Sequence, residues 1–106
     1  MPSPLESRAT PVRSAFADDP DFRDLLEEFA TALPERREAL QAAYRLGDHD
    51  TLRSQAHQLK GSGGGYGFAE LSVLAAELEL ACQSHDPARL AEKLDAIVGY
   101  IYCIMI

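Results

Sequence analysis

His57 and Lys60 are the side chains of this 106-residue chain whose types and spacing best suit chemistry. They stand in the run Ala56-His57-Gln58-Leu59-Lys60-Gly61-Ser62-Gly63-Gly64-Gly65-Tyr66-Gly67. A neutral imidazole is a nucleophile near neutral pH. A cation three residues later lies along the same side of a helix. Glycine costs a helix roughly 1 kcal/mol relative to alanine, so glycines packed beside a histidine need a reason. One reason is that something bulky must reach the ring. A phosphoryl group carried on nitrogen fits this set: the lysine pairs with its oxygens, and the glycines keep the approach clear.

The residues must be positioned by the helix that carries them. At about 100° per residue, Leu52, Ala56, Leu59, Gly63 and Tyr66 fall on one stripe, which is the inward face. His57 falls about 140° away from Leu52, with Arg53, Lys60 and Gly64 on its side and Gly61 one turn beyond. His57 thus faces solvent or a partner. An exposed helix histidine is ordinarily a plain surface residue. Here it is the combination with a lysine at +3 and glycines at +4, +7 and +10 that points further. The triple glycine reads equally well as a helix terminus. It is not a Walker-type phosphate loop, which needs Gly-Lys-Ser/Thr at its end.

Around this segment the pattern is helical throughout. Residues 1–17, rich in Pro, Ser, Ala and Arg, read as a flexible leader before a domain at 18–106. Phe22, Leu25, Leu26, Phe29 and Leu33 mark a first helix, begun at Asp19 or Pro20. Pro34 is expected to interrupt it, with a second helix over 35–46. A third starts at Asp48 or Asp50 and runs into the glycines. A fourth covers roughly 67–84. His85-Asp86-Pro87 is a turn, and a fifth helix runs from Pro87 almost to the end. The tail from Ile97 to Ile106 is β-branched and aromatic, but a lone strand would have no partner, so it is read as a helix end. That helix is apolar nearly all round, so its end is a candidate interface, including one between copies of the chain. Short connections make successive helices antiparallel. The expected fold is all-α: an antiparallel up-down four-helix bundle with an additional helix.

Composition narrows the partners. The formal net charge is −7, whereas nucleic acids and anionic membranes call for a basic face. No apolar stretch approaches the ~20 residues of a membrane span, and Met1-Pro2-Ser3-Pro4 lacks the basic and apolar regions of a signal peptide. Cys82 and Cys103 form no CxxC pair and read as reduced packing thiols, so the expected location is cytoplasmic. His49, His57 and His85 share no helical face, which disfavours a metal site.

The run His57-Gln58-Leu59-Lys60-Gly61, with Gly64 and Gly67 behind it, resembles the signature of histidine-containing phosphotransfer (HPt) domains of multistep phosphorelays. Leu33-Pro34, Gly47-Asp48 and Leu71…Leu78-Glu79 fit the same pattern, so the resemblance covers roughly residues 19–100. The chain departs from it in the triple glycine, where the family often has an alanine near Gly63, and in the apolar tail. The resemblance implies a four-helix bundle in which His57 accepts a phosphoryl group from a receiver-domain aspartate and passes it to another receiver. Lys60 would stabilise the phosphoryl charge, while Gly61 and Gly64 would leave room for the receiver. The partners implied are response-regulator receiver domains and a hybrid sensor kinase. No cofactor is expected on this chain: Mg²⁺ would come with the receiver, and without an ATP site the protein would be a phosphocarrier rather than a kinase. Arg53, Phe22, Leu25, Tyr66 and Phe68 are further docking candidates, although each aromatic also fits core packing. The competing reading is a docking or inhibitory helical module that carries no phosphate.

Overall fold

Three aspartates set where the chain turns into helix. The computed structural model describes residues 11–105. Its four helices are α1 (Arg23–Arg45), α2 (His49–Gly65), α3 (Ala69–Gln83) and α4 (Pro87–Tyr102), preceded by a 3₁₀ turn over Pro20–Phe22. The Asp19 carboxylate accepts the Asp21 amide at 2.9 Å as that turn begins. Asp48 caps α2, accepting the Thr51 amide at 3.1 Å and the Thr51 hydroxyl at 2.7 Å. These two bonds hold its carboxyl below the usual carboxylate range. Asp86 caps α4 by accepting the Ala88 and Arg89 amides, with Pro87 in the first turn. Each such carboxylate satisfies first-turn amides that the turn or helix itself leaves unbonded.

The break expected at Pro34 does not occur: α1 runs unbroken through it, so the first two expected helices are one. Pro34 removes the bond its amide would donate to the Ala30 carbonyl. However, Pro34 is exposed, so water can serve that carbonyl, while Leu33 and Leu40 on either side are fully buried. Burying two leucines is worth about 1.5–3 kcal/mol each, more than the loss at one proline. Of the additional helix, the described residues contain the 3₁₀ turn.

Three-residue connections join the helices, so neighbours run antiparallel and form a four-helix bundle. The core is built around Leu26, Leu33 and Leu40 from α1, Leu52, Ala56 and Leu59 from α2, Leu71, Ala75 and Leu78 from α3, and Leu90, Leu94 and Ile97 from α4, with Phe29 and Phe68 among the residues that extend it. The stripe expected on the histidine helix is the buried one: Leu52, Ala56, Leu59 and Gly63 all face inward. The α2–α3 pair is the most extensive helix contact of the bundle.

Two further expectations are corrected together. Val12–Arg13 (β1) pairs in parallel with Ile104–Met105 (β2), in the register Val12 to Ile104 and Arg13 to Met105. The end of the tail therefore is a strand, and its partner lies in the segment read as a free leader. Residues 11–17 are packed rather than loose. The Val12 amide donates to the Cys103 carbonyl at 2.7 Å, and the Ala15 amide to the Gly67 carbonyl at 2.9 Å. The Ser14 hydroxyl, buried, donates to the Tyr66 carbonyl at 2.6 Å, and Phe16 stacks on Phe22. The remainder of that leader, residues 1–10, lies outside the described residues. With this strap in place Val98, Tyr100 and Ile101 are buried within the chain, so they need no second copy to cover them. Tyr102 is exposed, with the Arg37 guanidinium 3.9 Å from its ring centre. Among the described residues no helix is long and apolar enough to cross a membrane.

Candidate functional site

His57 projects from the outer side of α2, its side chain 65% exposed. Its Nδ1 lies 2.8 Å from Glu79 Oε2, across the seam between α2 and α3. The other carboxylate oxygen, Oε1, accepts from Lys60 Nζ at 2.9 Å. Glu79 thus bridges both residues singled out in the sequence. The hydrogen bond from Lys60, helped by the one from His57, holds the Glu79 carboxyl below the usual carboxylate range, against the opposing effect of desolvation. An ionised carboxylate only accepts, so Nδ1 carries the proton and the lone pair of a neutral ring sits on Nε2.

Helix packing fixes this arrangement from below. The Ser72 hydroxyl donates to the Lys60 carbonyl at 2.6 Å, a second tie across the seam. Gly63 lies in the helix contact itself: a Cβ there would meet the Leu71 side chain and the Ser72 backbone at 3.2 Å. Gly67 has φ +84° at the end of the turn, where the strap passes so close that a Cβ would strike Ser14 and Phe16. These two glycines serve packing. By contrast, a Cβ on Gly61 or Gly65 would meet nothing within 4 Å, and one on Gly64 would make only ordinary contact with Ser72. The helix continues through the triple glycine to Gly65.

The other expected docking residues separate. Arg53 is exposed, one turn before His57, and acts electrostatically on the Cys82 thiol, whose pKa burial pushes up. Phe22 is half-buried against Phe16. Tyr66 is half-buried and stacks on Phe29, with ring centres 4.5 Å apart. Phe68 is corrected as a docking residue: at 3% exposure it belongs to the core, its ring centre 5.7 Å from that of Phe29, and offers a partner nothing. Glu79 is the residue that sequence reasoning missed as a site residue. Among the described residues no group of three or more His, Cys, Asp or Glu side chains is arranged to hold a metal ion.

A family model described as the Hpt domain matches residues 24–102. Searches of curated proteins and of solved structures give no significant match. The matched stretch takes in all of α2, α3 and α4 and nearly all of α1, including the His57–Glu79–Lys60 bridge. The chain belongs to the Hpt domain family, whose members are phosphocarriers rather than kinases and serve histidine phosphotransfer in two-component phosphorelays by interacting with receiver domains.

Proposed function

We propose that His57 accepts a phosphoryl group from a receiver-domain aspartyl phosphate and passes it to the aspartate of another receiver. The supporting observation is the Glu79 carboxylate, which reaches His57 Nδ1 and Lys60 Nζ at once. It holds the ring with its Nδ1 proton inward, leaving the Nε2 lone pair to attack phosphorus. The N–P bond forms as the P–O bond to the aspartate breaks, and the carboxylate leaves with the electron pair. No proton moves in this step. The ring gains positive charge because Nδ1 keeps its proton, and Glu79 stabilises that charge. The same charge makes the imidazole a good leaving group for the onward transfer.

Lys60 supplies the charge opposite the phosphoryl oxygens. Phosphoryl transfer passes through a loose, in-line transition state, so positioning and charge neutralisation carry most of the rate. Mg²⁺ and the acidic pocket come with the receiver in this reading, and the chain itself supplies nucleophile, orientation and one cation. Gly61 and Gly64 leave the approach to the ring open.

The test is transfer from a phosphorylated receiver, scored as acid-labile, alkali-stable label. His57→Gln is expected to take none. Lys60→Ala is expected to take label about ten- to a hundred-fold more slowly, the loss of one charge-assisted contact, with its helical circular dichroism unchanged. Full labelling of His57→Gln would remove the acceptor assignment. A wild type that binds the receiver but never takes label would favour the docking-module reading.

A further inference from the structure

A cleft lies at the end of the bundle where α1 stops, α2 starts and the turn from α3 to α4 passes. Its volume is about 520 Å³, the size of an ordinary small-molecule site. Its floor is apolar: Ala81 and Leu90 are 2% and 5% exposed. The exposed Tyr44 ring and half-buried Cys82 add to the wall. His49, also in the lining, stands eight residues before His57 on α2. At 1.5 Å per residue that is about 12 Å along the helix axis. The cleft is therefore separate from the site built on His57.

The charge of the lining runs against that of the chain. The formal net charge of the protein is −7, yet the cleft gathers Arg45, His49 and His85 around one acid, Asp86. That acid is engaged, because its Oδ1 accepts the Ala88 and Arg89 amides at 3.1 and 3.2 Å. Among the described residues, Arg45 and His85 have no ion-pair partner. A guanidinium presents its N–H donors in a fixed fork that matches a carboxylate. His85 holds φ +57°, a left-handed conformation that glycine takes at lower cost. The backbone on either side is tied down, as the Ser84 hydroxyl donates to the Ala81 carbonyl and accepts from the Asp86 amide. An imidazole thus stands at the rim with its ring N–H unused.

We propose that this cleft binds a small aromatic carboxylate. The carboxylate pairs with the Arg45 guanidinium and accepts the ring N–H of His85. The flat apolar body lies on Ala81 and Leu90 beside the Tyr44 ring. A single negative charge suits the lining better than a phosphate ester. The cleft has one permanent cation, and the Asp86 carboxylate repels a dianion about twice as strongly as a monoanion. A ligand without charge would cover Arg45 and leave its donors unpaired. The proposal does not depend on the role of His57.

The full chain is titrated with 2-naphthylacetate, 2-naphthylacetamide, 2-naphthyl phosphate and acetate, each followed by the amide shifts in NMR spectra. 2-Naphthylacetate is expected to saturate with a Kd below about 1 mM and to move the amides of Ala81, Cys82 and Leu90. The neutral amide, the phosphate ester and acetate, which lacks the aromatic body, are each expected to bind at least ten-fold more weakly. Arg45→Gln is expected to lose about ten-fold in affinity for 2-naphthylacetate, the scale of one charge-assisted contact. Arg36→Gln, in the groove between α1 and α2, is expected to keep wild-type affinity. His85→Gly separates binding from folding: freed of the left-handed strain, it is expected to melt close to wild type yet bind several-fold more weakly. Any of four results overturns the proposal: no saturable shift up to about 10 mM, an amide or phosphate ester that binds as tightly as the carboxylate, unchanged affinity in Arg45→Gln or His85→Gly, or shifts centred on the groove beside Arg36.

Discussion

A single carboxylate organises the site, and its removal has a defined signature. Glu79 is held below the usual carboxylate range chiefly by Lys60. A group whose pKa is depressed on folding adds stability in full above its unfolded value, about 4.3 for glutamate, and loses it as the pH falls through the folded value. Glu79→Gln is therefore expected to lower the urea midpoint by a constant amount through neutral pH, and the two proteins are expected to converge in acid. A gap that persists in acid would mean that the ionised carboxylate is not what stabilises. At neutral pH the same variant is expected to transfer phosphate about ten- to a hundred-fold more slowly, because the ring loses its fixed orientation. His57 and Lys60 were legible because one helix face is a local, periodic property. Glu79 was not, because its level on α3 depends on where the α2–α3 turn falls. His57 lies ten residues before Gly67 and Glu79 twelve after it, a near-reflection visible only once the turn is known. Phe68 stood open between docking and core packing for a related reason: the side an aromatic beside a glycine turn takes is set only once the start of α3 directs it against Phe29.

At the scale of elements, α1 shows burial overruling a local rule. Proline disfavours a helix interior whatever surrounds it, and that part was legible. That Leu33 and Leu40 sit on one continuous buried face was not, since it depends on the partners across the core. Pro34 consequently remains a standing cost. Pro34→Ala is expected to raise stability by about 2–3 kcal/mol, as measured by urea unfolding, with the transfer rate unchanged. A neutral or destabilising result would show that the proline ring makes packing contacts that outweigh the missing bond. The Asp48 and Asp86 caps, by contrast, act over two or three residues, and the starts of α2 and α4 could be read from them almost to the residue, whereas Asp19 caps the 3₁₀ turn and α1 begins only at Arg23.

For the whole molecule, the two-residue pairing of β1 with β2 joins stretches some ninety residues apart, which no sequence period reports. The strap covers the apolar end of α4 and grips the end of the histidine helix through Tyr66 and Gly67. Deleting residues 1–16 is expected to cost about 3 kcal/mol, from partial exposure of Val12 and Phe16 contacts and the lost hydrogen bonds. Thermal unfolding would register the loss, and light scattering should detect self-association through the uncovered tail. A deletion variant that melts like wild type and stays monomeric would show that the strap merely rests on the bundle. The direction of the pairing has a mechanical consequence. Because the strands are parallel, tension drawing the two ends of the chain apart pulls them along each other in opposite senses. The pair is loaded in shear, so its bonds resist together rather than opening one after another. Through Ser14 and Ala15, that load reaches the turn that ends the His57 helix before it reaches the core.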